Sequence, residues 1–189
     1  MVISMRVITG SARGRRLNEP KGAETRPTTD KVKESIFNCI QFDVEDARVL
    51  DLFAGTGQLG IEALSRGAKS AVFVDKRAEA AKLVRDNLAL CGFSDRAQVV
   101  CGDGLSYLSS LRTKFDIVFL DPPYEEELLE QSLAHIARFD ILTPCGIIVA
   151  ESPSDKPLPA LRAPYGVYRE YRYGRIKVTV YHREEEGKP

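Results

Sequence analysis

The sequence has no tryptophan, only two histidines and two methionines, and its four cysteines stand apart. Cys39, Cys91, Cys101 and Cys145 form no Cys-x-x-Cys pair and have no histidine neighbour. This argues against a disulfide framework or a zinc site and fits reduced thiols in a cytoplasm. His135 and His182 accompany no serine–carboxylate or metal-ligand cluster and read as ordinary surface or strand residues; no metal is expected. No apolar run nears the ~20 residues that span a bilayer, and the N-terminus has no apolar stretch of the signal-peptide kind. An excess of one charge is missing too, since 27 Lys and Arg balance 27 Asp and Glu. That excludes a uniformly basic nucleic-acid coat but leaves room for a local basic patch. What is present is an ordinary globular mix, 43% hydrophobic and 29% charged over 189 residues. A chain of this length buries roughly 70% of its unfolded surface without staples. The expectation is one cytoplasmic domain with no membrane partner.

The charge is unevenly spread. Residues 1–33 hold eight basic side chains against Glu19, Glu24 and Asp30, a local excess of +5. Arg13-Gly14-Arg15-Arg16 lies on an expected turn, where several cations could together hold a polyanion. The plainer reading of such a cluster is a solvated loop.

Beyond that segment strands alternate with helices. Residues 6–9 and 16–17 flank the Gly/Arg turn as a short hairpin. Residues 49–53, 71–74, 98–101, 115–120 and 147–150 read as buried strands. Helical spacing occupies 32–40, 59–65, 78–90 and 128–136, with Gly67 and Gly92 as stops. Residues 167–173 and 176–182 alternate around Gly174-Arg175 as an antiparallel hairpin, its tyrosines serving sheet packing. The fold class is α/β: a mostly parallel seven-stranded sheet, helices on both faces, the C-terminal hairpin antiparallel. Residues 1–26 form a basic hairpin extension, 27–182 the core and 183–189 a frayed tail.

Ligands of such sheets sit beyond the carboxyl ends of the strands, and Asp75, Asp103 and Asp121 each follow a strand. Gly55-Thr56-Gly57-Gln58-Leu59-Gly60 fits Gly-x-Gly-x-x-Gly, with Asp75 twenty positions past Gly55. Exposed amides there favour an acceptor group, and Asp75 can take both hydroxyls of a ribose. Those features fit any adenosine-bearing cofactor. Asp51, inside a strand, needs amides or a cationic ligand group as partners, and would serve a pyrophosphate badly. In Asp121-Pro122-Pro123-Tyr124 two prolines remove donors and fix φ. The result is a nest of acceptors suited to an amino group, with Tyr124 as a flat stacking face.

Asp51-Leu52-Phe53-Ala54-Gly55-Thr56-Gly57 followed by Asp121-Pro122-Pro123-Tyr124 resembles the motif pair of class I S-adenosylmethionine-dependent amino-methyltransferases, which are Rossmann-like. Longer stretches resemble the bacterial RsmD family, which methylates guanine N2 in small-subunit (16S) ribosomal RNA. They are Arg6-Val7-Ile8, Arg13-Gly14-Arg15-Arg16-Leu17, Arg26-Pro27-Thr28-Thr29-Asp30 and Gly60-Ile61-Glu62-Ala63-Leu64-Ser65-Arg66-Gly67-Ala68. The likeness runs from Arg6 to about Tyr181, with Thr9 in place of an expected glycine.

The resemblance implies that the loop of Phe53, Ala54, Gly55, Thr56 and Gly57 holds the methionine part of S-adenosylmethionine. Asp75 would bind the ribose hydroxyls, Asp103 would take the adenine amino group, Gly104 would leave room beside the adenine, and Asp51 and Lys76 would also belong to the cofactor site. Asp121, Pro122, Pro123 and Tyr124 would hold the target guanine. Arg26, Pro27 and Thr28 would border the site, with Arg13, Arg15 and Arg16 on RNA phosphates. The partner implied is small-subunit rRNA, naked or in an assembled particle. Other readings are methyl transfer to a DNA adenine or a protein amide, an NAD-dependent oxidoreductase, and a non-catalytic RNA-binding factor.

Overall fold

The computed structural model describes residues 5–20, 30–123 and 126–184. Seven strands form one sheet: β1 (Arg48–Asp51), β2 (Ser70–Asp75), β3 (Ala97–Cys101), β4 (Phe115–Leu120), β5 (Leu142–Pro153), β6 (Tyr165–Tyr173) and β7 (Ile176–Arg183). Their order is β3-β2-β1-β4-β5-β7-β6, and pairing is parallel from β3 through β5. β7 pairs antiparallel with both β5 and β6.

Alternation along the strands sends neighbouring residues to opposite faces, so two cores form. Val49, Phe73, Phe119 and Val149 pack under α1 (Asp30–Cys39), α2 (Gln58–Ser65) and α3 (Ala78–Cys91). Leu50, Val74, Val118 and Ile148 pack under α4 (Gly104–Ser110) and α5 (Glu126–Phe139). Helices thus cover both faces, as the buried-type strand runs imply.

α4 is an element the sequence pattern does not announce, because Gly-Leu-Ser-Tyr-Leu-Ser-Ser is poor in helix formers. Its start is fixed by Asp103, whose side chain accepts from Ser106 N at 2.8 Å as an N-cap. β5, Leu142–Pro153, is longer than the expected 147–150. In the fold Gly146 continues the strand, and a Cβ there would come within 2.9 Å of the Thr143 carbonyl oxygen.

The N-terminal segment forms a looser hairpin than two strands. One antiparallel bridge joins Arg6 and Arg16, with main-chain bonds from Val7 N to Arg15 O and from Leu17 N to Met5 O. Side chains of α2 hold it instead. Buried Glu62 accepts from Ile8 N at 2.8 Å and Thr9 N at 3.0 Å, and Ser65 Oγ accepts from Ala12 N and donates to Thr9 O. At Gly10 (φ +87°) a Cβ would lie 1.8 Å from the Ser65 carbonyl oxygen, so only glycine lets the turn lie on the helix end. These contacts give the stretch from Gly60 to Ala68 its structural purpose.

At the other end Arg183 belongs to β7 rather than to a tail: its guanidinium meets Asp140 at 2.7 Å, and Glu184 N bonds Pro164 O. The tyrosines divide. Tyr165 and Tyr181 are core, whereas Tyr168 is 58% exposed. No helix among the described residues is long and apolar enough to cross a membrane.

Candidate active site

The chain enters β1, turns outward to β2 and β3, then jumps back to β4 on the other side of β1. The carboxyl ends of β1 and β4 therefore bound the switch-point crevice. A cavity of about 1800 Å³ opens there, lined among others by Asp51, Gly55, Asp75, Asp103, Asp121 and Ser152.

One wall is the turn from β1 into α2. Gly55 (φ +55°) and Gly57 (φ +79°) adopt left-handed conformations that reverse the chain within a few residues. Gly60 serves packing, for a Cβ there would fall 2.3 Å from the Phe73 ring. Asp51, 3% exposed, accepts from Gly60 N at 3.0 Å and so caps α2 from the neighbouring strand. One amide does not offset its burial. Desolvation, with Asp121 and Asp75 nearby as like charges, pushes its carboxyl up to about 7.

Asp75 is held differently. Its Oδ2 accepts from Gly55 N at 2.9 Å, and Arg77 grips both oxygens, Nε at 3.1 Å and Nη2 at 3.2 Å. Burial raises its pKa, but these bonds more than offset that and hold it below the usual range. Asn87, fully buried on α3, ties the N-terminal hairpin to the turn. It accepts from Asn18 N at 2.7 Å and donates to Asn18 O at 3.1 Å and Thr56 O at 2.9 Å. Asn18, Glu19 and Pro20 thereby become part of the cavity rim.

The opposite wall is the end of β4. Asp121 and Pro122 are half-buried and Pro123 exposed, all three on the cavity. Asp121 makes no hydrogen bond within the protein among the described residues, and burial pushes its carboxyl up to about 6. Tyr124 lies outside the described residues.

The fold brings Asp51, Phe53, Ala54, Gly55, Thr56, Asp75, Lys76, Asp103, Gly104, Asp121, Pro122 and Pro123 to one cavity. Gly57 belongs to the same turn but lies behind the wall, where a Cβ would meet Val84 and Ile61 at 3.3 Å. The space beside Gly104 is already used, with Leu52 and Phe53 at 3.3 and 3.2 Å from a Cβ there. Arg13, Arg15 and Arg16 are exposed on the hairpin and do not line the cavity. Arg26, Pro27 and Thr28 lie outside the described residues. Arg77, Asn87, Gln58 and Ser152 escape sequence reading. Only Arg77, two residues beyond a strand-end acid, carries a local signal. Among the described residues no group of three or more His, Cys, Asp or Glu is placed to hold a metal ion.

The family described as "Conserved hypothetical protein 95", which is the RsmD family, matches residues 5–182. The chain belongs to that family. The ribosomal RNA small subunit methyltransferase D of Escherichia coli (strain K12) is 38% identical over 184 residues, covering 97% of this chain and 92% of that protein. YlbH of Bacillus subtilis (strain 168) is 44% identical over 180 residues, covering 94% and 98%. The solved structure of Escherichia coli yhhF shares the fold with a TM-score of 0.88 at 35% identity, covering 96% and 98%. The chain is thus a Rossmann-like class I methyltransferase.

Proposed function

We propose that this enzyme methylates the exocyclic N2 of a guanine in 16S ribosomal RNA, with S-adenosylmethionine as donor. The observation that carries the reading is the pairing, within one cavity, of the Asp51–Gly55 turn with an Asp-Pro-Pro loop rich in acceptors. The residues present fit such a cofactor. Gln58 places a buried, unpartnered carboxamide oxygen on the turn side, and the first amides of α2 have no intrahelical acceptor. Asp51 is a buried acceptor in need of a cationic group. Asp75 has its four acceptor sites taken by Gly55 N and by Arg77 N, Nε and Nη2, so ribose hydroxyls would replace the exposed Arg77 guanidinium. Asp103, already the cap of α4, would meet the adenine amino group with its remaining acceptor capacity.

When bound, the cofactor supplies a methyl group made electrophilic by its sulfonium. The chain's residues then have to present a nitrogen in line with it, and orientation of this kind supplies on the order of 7 kcal/mol at best. The exocyclic amine is a weak nucleophile because its lone pair is delocalised into the ring. Hydrogen bonds from its N–H groups to the Asp121 carboxylate and the Pro122 carbonyl would turn that lone pair toward the methyl. They would also stabilise positive charge developing on nitrogen. A carboxyl raised to about 6 is suited to take up a proton near neutrality. Asp121 would take the proton that the nitrogen gives up as it receives the methyl group from the sulfonium. Tyr124 would offset the unstacking of a base drawn from its helix. Arg13, Arg15 and Arg16, exposed on a hairpin anchored to α2, would hold phosphates, with Arg26, Pro27 and Thr28 at the border. A cytoplasmic setting follows from that substrate.

The test is methyl transfer to small ribosomal subunits lacking native methylation, read by nucleoside mass spectrometry. N2-methylguanosine is expected, and its loss with Asp121→Ala. Tight cofactor binding without product would move the substrate to a DNA adenine or a protein amide. No cofactor binding would overturn the reading.

A further inference from the structure

Ser152 is 7% exposed and lines the cavity, yet its Oγ is buried with no hydrogen-bond partner among the described residues. Burying a hydroxyl without a partner costs stability, whereas an apolar residue at the same place would not. β5 is rich in Ile, Val and Ala, so a small apolar side chain would suit the strand better. A polar group kept at a loss on a cavity wall calls for a ligand.

Its place in the sheet says which part of the ligand. β4 and β5 run parallel with Leu120 opposite Ala150, and continuing that register sets Ser152 beside Pro122. Adjacent strands lie about 4.8 Å apart, comparable to the width of a base's hydrogen-bonding edge. Ile148 and Ala150 share the α5 side of the sheet, so Ser152 faces that side as well, near the cavity residues Leu128 and Leu129.

We propose that Ser152 is a specificity-determining residue that donates its hydroxyl to O6 of the target guanine. The inference rests on the guanine-N2 reading. A guanine held by its 2-amino group at Asp121 and Pro122 presents N1–H next along the same edge and then O6. An adenine held by its amino group presents a bare ring nitrogen and then C2–H, which offers the hydroxyl no acceptor. Rotation about one χ1 torsion moves the hydroxyl among three staggered positions, so Ser152 can turn toward the base without any shift of the strand. A site built to hydrogen-bond a substrate group rejects the analogue lacking it, because the protein group is then left unpaired.

The experiment is a cycle between enzyme and substrate. It uses a small-subunit rRNA fragment that the wild-type enzyme methylates, carrying either guanine or 2-aminopurine at the target. The analogue keeps the 2-amino group and lacks O6. Wild-type kcat/KM should fall by at least about tenfold on the 2-aminopurine RNA. Ser152→Ala should show a similar loss on guanine and no further loss on 2-aminopurine. S-adenosylhomocysteine affinity should stay within about twofold and Tm should be unchanged or higher, because the substitution removes an unsatisfied group. Equal wild-type rates on both RNAs would overturn the proposal, as would losses that simply multiply. A fall in Tm and cofactor affinity with the base preference intact would mark Ser152 as structural and likewise overturn it. Failure of the wild-type enzyme to methylate guanine N2 at all would remove the reading and the proposal together.

Discussion

The two walls of the cavity are built on opposite terms. On the turn side most polar groups are answered within the protein, Asp75 by Gly55 and Arg77 and the Thr56 carbonyl by Asn87, while Asp51 has Gly60 N alone and the Gln58 oxygen has no partner. On the β4–β5 side Asp121 makes no internal hydrogen bond among the described residues, and the Ser152 hydroxyl is orphaned. The first wall is largely organised in advance, which would lower the entropy cost of binding a flexible cofactor there. The second keeps its bonding capacity for a partner from outside. Binding and turnover should therefore separate by wall.

The largest separation is expected at Asp121. Asp121→Ala should lower kcat by about a thousandfold, the scale for removing a group that meets developing charge. S-adenosylhomocysteine affinity, measured by calorimetry, should stay within about twofold. Equal losses of both would break the division between walls. Asp75→Ala should do the reverse. Cofactor affinity should weaken by about tenfold to a hundredfold, the worth of bonds to a charged acceptor, with kcat at saturation nearly kept. Normal affinity in that variant would remove Asp75 from the cofactor side.

Asn87→Ala tests the tie between hairpin and turn. It leaves the Asn18 main chain and the Thr56 carbonyl without their partner, and should cost about 2 kcal/mol. Thermal unfolding should show that as a fall in Tm of about 5 °C. An unchanged Tm would mean the rim is held elsewhere.

The smallest effect is electrostatic. Asp51 and Asp121 have native pKa values of about 7 and 6, raised above the ordinary carboxyl value. Between about pH 4 and pH 7 the folded protein therefore binds more protons than the unfolded chain, and these groups cost stability as pH rises through that window. Asp51→Asn, whose side-chain oxygen can still accept from Gly60 N, should melt a few degrees above wild type at pH 8, the gap closing toward pH 4. A gap constant with pH would show that ionisation is not its cause. In parallel, wild-type kcat should rise through about pH 6 as Asp121 ionises.

Much of this was readable along the chain. Each parallel strand appears as a short apolar run, and the glycines of the turn and the acids at the ends of β2, β3 and β4 stand where the sheet topology needs them. α4 was hidden because its residues are weak helix formers and its start depends on one side-chain cap. The full length of β5 was hidden because Gly146 marks a break in sequence but a close approach in space.

By itself the sequence determined the αβ alternation, the tight β1–α2 turn and the proline-stiffened acceptor loop, since periodicity, positive φ and proline geometry act between near neighbours. Tertiary structure alone decided what those pieces face. Asn87 meets Asn18 across 69 positions and Glu62 meets Ile8 across 54. Asp51 feels Asp121 only because β4 jumps to the side of β1 away from β2. Hydrogen bonding, desolvation and like-charge repulsion depend on distance through space, which strand order fixes and sequence spacing does not.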